Sequence, residues 1–175
     1  NFPTYKLDGK PFSSGKVTTL SENAIVSENR LTSVPQDTDP ELAALLGCSL
    51  TTALGIIDNQ SHLKFGETVA IIGCGGVGLN LISGALLKGA STVYAIDNVN
   101  EKEPLVLSQG ANHFLTSTNE LPEKVDLIID TTGSPNVISE AFKSLSNEGR
   151  MILVGQPAPG AEIVIPNAIQ FFNGS

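Results

Sequence analysis

The chain has 175 residues, 41% of them hydrophobic, enough for one sizeable domain with a core of its own, or one domain plus a smaller piece. A net charge of −8 without a basic cluster speaks against nucleic acid and anionic membrane as partners, no apolar run approaches a membrane span, and two cysteines make no disulfide framework. A reducing, cytoplasmic setting is the default expectation, and a first residue of Asn1 rather than Met is compatible with a removed signal or with a piece of a longer protein.

Residues 1–20 are polar and rich in Gly, Ser, Thr and Lys, with a turn expected at Asp8-Gly9-Lys10-Pro11. Residues 24–26 and 31–34 read as two short strands joined through Glu28-Asn29, with Pro35 closing the second; such a pair is marginal in isolation and needs a surface to lie on. Thr38 or Asp39 can cap a helix with Pro40 in its first turn, followed by residues 41–46 and stopped by Gly47. A second helical stretch, Ser49 to about Gln60, sets Leu50, Ala53, Leu54 and Ile57 on one face.

The stretch that organises the chain comes next. Residues 68–72 are an apolar strand, Gly73-Cys74-Gly75-Gly76-Val77-Gly78 a glycine turn, the run to Lys88 a helix, and residues 93–97 a second strand closed by an acid. Gly73 lets the chain leave the strand sharply. Gly75 omits a Cβ where a pyrophosphate has to approach the backbone, and Gly78 lets helix and strand pack closely. The helix N-terminus offers unpaired N–H groups and a positive dipole end to phosphates. Asp97 follows Gly78 by nineteen positions, where an acceptor for both ribose hydroxyls belongs. The pattern predicts dinucleotide binding, and a carboxylate at Asp97 favours NAD over NADP because it repels a 2′-phosphate. Lys102 has the spacing to reach the ribose from the other side, and equally that of a solvated lysine.

Beyond Asp97, Asn100 can cap a helix over 101–109 that Gly110 stops. Residues 113–115 form a short third strand, 116–124 a polar link broken at Pro122, and 125–130 a fourth strand apolar between two acids, as a strand buried on both faces requires. Ser134 and Pro135 open a helix expected to reach Gly149; 151–154 is the fifth strand, 163–165 a further extended run, and Asn167 starts a last helix. Strands alternating with helices mean a parallel, doubly wound α/β sheet with ligands at the carboxyl ends of its strands. Residues 73–78, 97, 131–134 and 155–157 are therefore expected to line one crevice. A sixth strand, usual in such folds, is not expected within the chain. The spacing of the glycines speaks against an adenosylmethionine-dependent methyltransferase, and the absence of Lys-Ser/Thr after the turn against a nucleoside triphosphatase.

Three runs carry a family resemblance: Gly47-Cys48-Ser49-Leu50-Thr51-Thr52-Ala53-Leu54-Gly55, Gly66-Glu67-Thr68-Val69 and the glycine turn itself. Together they resemble the zinc-type alcohol dehydrogenases of the medium-chain dehydrogenase/reductase superfamily. Residues 18–35 resemble the end of that family's catalytic domain. The resemblance implies a remnant of a GroES-like catalytic domain over 1–38 and a truncated Rossmann NAD-binding domain over 39–175. It implies hydride transfer between an alcohol or aldehyde and NAD, with zinc in the intact enzyme and a homo-oligomeric assembly. Residue by residue, Cys48 stands where the family has a ligand of the catalytic zinc, and Thr52 where a small polar residue sits beside the nicotinamide. Val77 takes the place of another residue that touches the coenzyme. Asp97 and Lys102 stand at the adenine ribose, with Thr132, Val154, Gly155 and Gln156 flanking the nicotinamide half. The family's other two zinc ligands and its proton relay have no counterpart in this sequence, so the chain alone is expected to bind NAD weakly, hold no zinc and not turn over. His62 and His113 match no ligand position and read as surface residues. A non-catalytic NAD-binding regulatory domain and a zinc-independent NADPH-linked quinone or enone reductase are the competing readings.

Overall fold

A computed structural model describes residues 5–12, 22–121 and 124–165. The helix expected from Asn167 and the break expected at Pro122 lie outside them. The chain divides into two compact units, Asn1–Ala43 and Ala44–Ser175.

In the first unit, β1 (Tyr5–Leu7) and β2 (Lys10–Phe12) form an antiparallel hairpin. Its turn is at Asp8 and Gly9, with φ of 50° and 76°, the left-handed pair that a two-residue hairpin loop demands. The strands expected over 24–26 and 31–34 do not form: the segment is extended but unpaired, around a 3₁₀ turn at Glu28–Arg30. Ile25 and Leu31 are exposed. β-Branched residues favour a strand only when a neighbour takes up the ladder and a core takes the side chains, and in this segment neither does. Helix α1 (Pro40–Leu46), which begins in the first unit and ends in the second, is capped by Asp39, whose Oδ1 accepts the Glu41 N–H at 2.8 Å.

The second unit is the doubly wound sheet. Five parallel strands, β3 (Thr68–Ile72), β4 (Thr92–Ile96), β5 (His113–Leu115), β6 (Val125–Asp130) and β7 (Leu145–Leu153), lie in the order β5-β4-β3-β6-β7. Its first strand is central and the order reverses between β3 and β6, which defines the switch point where ligands bind. Both faces are covered. Val69, Ile71, Val93, Ala95, Leu127 and Ile129 pack under α2 (Ser49–Gly55), α3 (Gly76–Leu87) and α4 (Glu103–Ser108). Ala70, Ile72, Tyr94, Ile96 and Ile128 pack under α5 (Pro135–Ala141). Burial on two sides is why these strands read as continuous apolar runs.

Three helix expectations need correction. The second stretch does not stay α-helical to Gln60: after α2 it widens into a π turn, Ile56–Gln60. Ala53, Ile56 and Ile57, spaced i, i+3 and i+4, go inward together, while Leu54 is left 41% exposed. Asn100 caps nothing; it opens a 3₁₀ turn, Asn100–Lys102, that leads into a shorter α4. Helix α5 stops at Ala141 with a 3₁₀ turn to Ser144 instead of running to Gly149, and Ser134 holds its N-cap place without a capping bond. Leu145 pairs with Val125 and Arg150 with Leu127, so β7 swells outward between them, and Gly149 lies inside that bulge. Helical spacing continues through Leu145 in the sequence, but the open edge of β6 claims the segment.

Candidate functional site

All four strand exits reach one level. The register pairs Ile72 with Ile96 and with Asp130, and Asp130 with Leu153. The next residues are stitched across: Gly73 N–H donates to Ile96 O at 2.8 Å, Thr131 N–H to Ile72 O at 2.8 Å, and Val154 N–H to Asp130 O at 2.8 Å. Main chain alone thus gathers the glycine turn, Asp97, the Thr131–Thr132 loop and the Val154–Gln156 segment at one end of the sheet.

The glycines divide the labour. Gly73 has φ +89°, a left-handed conformation, and a Cβ there would lie 2.4 Å from Thr131 Oγ1. At Gly78 a Cβ would lie 1.9 Å from Gly73 O, so α3 starts hard against the end of β3. A Cβ at Gly75, by contrast, would project into open space in front of the first turn of α3. That empty place, faced by the N–H groups that a helix start leaves without intrahelical partners, is the cradle a diphosphate fits. Val77 turns its half-buried side chain onto the core.

Asp97 is 8% exposed and accepts three hydrogen bonds from its own chain. Oδ2 accepts the Cys74 N–H at 2.8 Å and Lys102 Nζ at 2.7 Å, and Oδ1 accepts the Val99 N–H at 3.0 Å. Burial pushes the Asp97 carboxyl up, but the bonds from Lys102, Cys74 and Val99 outweigh it and hold it below the usual aspartate range. It is a carboxylate at neutral pH. Cys74 beside it is pushed up to about 11, first by burial and then by the Asp97 charge, so this thiol is a packing group.

Next to Asp97 opens a cleft of about 580 Å³, lined among others by Gly73, Asp97, Thr118, Thr132, Asn136 and Glu140. Of the residues expected to bind a coenzyme, Gly73, Asp97 and Thr132 line it; Gly75, Gly76, Val77, Gly78 and Lys102 do not, and neither do Val154, Gly155 and Gln156. These last three are tied to Thr132 through a contact that sequence reading missed. A Cβ at Gly155 would fall 2.1 Å from Gly133 N, and one at Gly133 would fall 2.7 Å from the Gln156 backbone, so the two loops touch main chain to main chain. The fully buried Asp130 holds both: Oδ1 takes Thr132 Oγ1 at 2.6 Å, Oδ2 takes the Gly133 N–H at 2.9 Å, and its carbonyl takes the Val154 and Gly155 N–H groups. An acid closing an apolar strand was the available signal for this hub.

Cys48 is exposed and stands just before α2, with its carbonyl accepting the Thr52 N–H at 2.9 Å; Thr52 is half-buried one turn further on. Among the described residues no three His, Cys, Asp or Glu side chains gather as a metal site, and both His62 and His113 are exposed. No single helix there is long and apolar enough to cross a membrane.

Comparison with known proteins places this geometry. The model of the zinc-binding dehydrogenase family matches residues 76–174. S-(hydroxymethyl)glutathione dehydrogenase of Saccharomyces cerevisiae is 31% identical over 160 residues, which span 83% of this chain and 42% of that protein. NDMA-dependent alcohol dehydrogenase of Amycolatopsis methanolica is 30% identical over 152 residues, 81% of this chain and 41% of the other. The crystal structure of benzyl alcohol dehydrogenase from Acinetobacter calcoaceticus superposes with a TM-score of 0.81 at 26% identity, covering 90% of this chain and 46% of that one. The chain spans less than half the length of these relatives.

Proposed function

This chain belongs to the zinc-binding dehydrogenase family, and on that premise we propose that it is the NAD-binding part of an alcohol dehydrogenase-like oxidoreductase. The observation that carries the reading is Asp97: a carboxylate kept charged, turned toward the glycine turn by the Cys74 N–H and open to the neighbouring cleft. The diphosphate of NAD lies across Gly75 and Gly76 at the start of α3, and the adenine ribose offers its two hydroxyls to Asp97. A carboxylate has about four acceptor positions, and three of those on Asp97 are taken. Lys102, whose side chain is 35% exposed, is the donor free to move; it swings to a ribose hydroxyl and vacates its place. A 2′-phosphate meets the Asp97 charge there, which favours NAD over NADP.

The nicotinamide half extends past Thr132 toward Val154, Gly155 and Gln156, whose loop Asp130 holds rigid, and toward Thr52. The nicotinamide, when bound, supplies the hydride acceptor or donor; the chain's own residues bind and orient it. The substrate class is an alcohol or aldehyde, as the names of the relatives suggest. Zinc does not fit the described residues by themselves. Cys48 is assigned one thiolate among its ligands in a longer protein, with the other ligands and the substrate pocket outside these residues. The same longer protein is proposed to include the GroES-like part, of which residues 1–38 are the remnant, and to assemble as a homo-oligomer. Two free thiols accord with a reducing, cytoplasmic setting.

Calorimetric titration of the chain with NAD and with NADP tests the reading. NAD binds more tightly than NADP, and Asp97→Ala weakens NAD by roughly ten- to a hundredfold, the worth of hydrogen bonds to a charged group, and narrows the gap with NADP. Equal affinity for the two coenzymes, or an Asp97→Ala chain that binds NAD unchanged, overturns it.

A further inference from the structure

Helix α2 and helix α3 meet at their N-terminal ends through one side chain that neither the glycine turn nor the ribose acceptor explains. Asn80 Nδ2 donates to Gly76 O at 2.8 Å, one turn back on its own helix, and to Ser49 Oγ at 3.1 Å, on the first residue of α2. An amide nitrogen has two hydrogens, so both bonds form at once. Gly76 makes room for the second: a Cβ there would stand 3.1 Å from Ser49 Oγ. Ser49 and Asn80 are both half-buried, so the bridge is partly shielded from water.

We infer that Asn80 is a positioning residue, coupling the diphosphate cradle at the start of α3 to the start of α2, where Cys48 and Thr52 stand. The inference rests on the coenzyme reading and goes beyond it. The peptide joining Gly76 to Val77 is the hinge of the device: its N–H, that of Val77, is one of those the head of α3 leaves to the cradle, and its carbonyl, that of Gly76, holds Asn80. A diphosphate drawn onto the cradle fixes that peptide, the peptide fixes the Asn80 amide, and the amide fixes Ser49 against the next helix. The segment that presents Cys48 and Thr52 is thereby steadied further when the coenzyme is seated. Coupling of this kind travels through discrete bonded contacts, and this bridge has two in series.

Hydrogen–deuterium exchange of residues 49–55 tests it, in the chain free and saturated with ADP-ribose, a probe that carries the diphosphate and lacks the nicotinamide ring. In the native chain ADP-ribose slows that exchange by about fivefold, at the low end of ordinary coupling. Asn80→Ala and Ser49→Ala each reduce the effect to under about twofold while ADP-ribose still binds, the double variant loses no more than either, and Ser49→Thr, which keeps the hydroxyl, retains it. A merely structural bond raises exchange in free and bound chains alike and leaves their ratio untouched, and that result overturns the inference. So does protection that survives both alanine variants. Should Asn80→Ala fail to fold, Ser49→Ala, which removes one hydroxyl from a helix start, decides. Loss of all ADP-ribose binding by the native chain, read by calorimetry, overturns the coenzyme reading and this inference with it; binding without protection overturns the inference alone.

Discussion

At the scale of single residues a second polar cluster lies at the end of the sheet away from the crevice. Arg150 sets its guanidinium on Glu67 with two bonds, Nη1 to Oε1 at 3.1 Å and Nη2 to Oε2 at 2.6 Å, while Nε donates to Ser61 O at 2.8 Å. One side chain thereby ties β7 to the approach to β3 and to the end of the π turn. The hydrogen bond from Arg150 holds the Glu67 carboxyl below the usual glutamate range, against the opposing effect of burial. A lowered folded value means that the charged form stabilises the fold above the ordinary glutamate value of 4.5 and that this stabilisation is lost as the pH falls below it. Glu67→Gln therefore melts earlier than the native chain at pH 7, and the gap closes as the pH falls through the carboxylate range. Melting curves followed by circular dichroism check it; a gap constant with pH would refute the clamp. Nothing in the spacing of Glu67 and Arg150 foretold their meeting, because the fork depends on the order in which β3, β6 and β7 lie side by side.

At the scale of elements, the turn between β3 and α3 separates folding from binding. Gly78→Ala forces a Cβ onto Gly73 O, 1.9 Å away in the unrelaxed chain, so α3 has to move off the sheet. A loss of about 1–3 kcal/mol is expected, the usual cost of overpacking, together with loss of NAD binding. Gly75→Ala meets no neighbouring atom, and its φ of −84° suits an alanine. Its stability is expected to stay within about 0.5 kcal/mol of the native value while NAD binding falls, since the new methyl fills the place of the diphosphate. Paired thermal melts and NAD titrations separate the two. A Gly75→Ala chain that binds NAD like the native one would mean that the cradle lies elsewhere. The elements that departed from expectation, the π turn after α2 and the bulged β7, did so where a neighbour supplied a better partner than local spacing: core space for Ile56 and Ile57, and the edge of β6 for Leu145.

For the whole molecule, the two units have different standing. The sheet of the second unit buries both its faces, whereas residues 22–35 of the first leave Ile25, Leu31 and Val34 exposed. With Cys48 as a lone candidate ligand among the described residues, the purified chain is expected to bind NAD but to retain less than one zinc per chain after dialysis. It is also expected to give no NADH from alcohols. Metal analysis by mass spectrometry and a coenzyme absorbance assay check both halves. Sustained alcohol-dependent NADH formation would mean that the 175 residues hold a complete catalytic site, and would overturn the assignment of the missing ligands to a longer protein. A purely regulatory NAD-binding domain makes the same coenzyme prediction, but assigns no metal to Cys48 even in a longer protein.

The strand–turn–helix–strand–acid run from Thr68 to Asp97, the alternation of strands and helices, and the family resemblance were legible in the residues alone. They are local: a glycine turn, an apolar strand and a helix start are specified by neighbours within a few positions. That the four strand exits share one end also followed from the parallel alternation, whereas the Gly133–Gly155 contact, the Asp130 hub and the Asn80–Ser49 bridge were decided only by the packed sheet. Each joins residues that are distant in the chain or belong to different elements, and no spacing in one dimension encodes which of them come face to face.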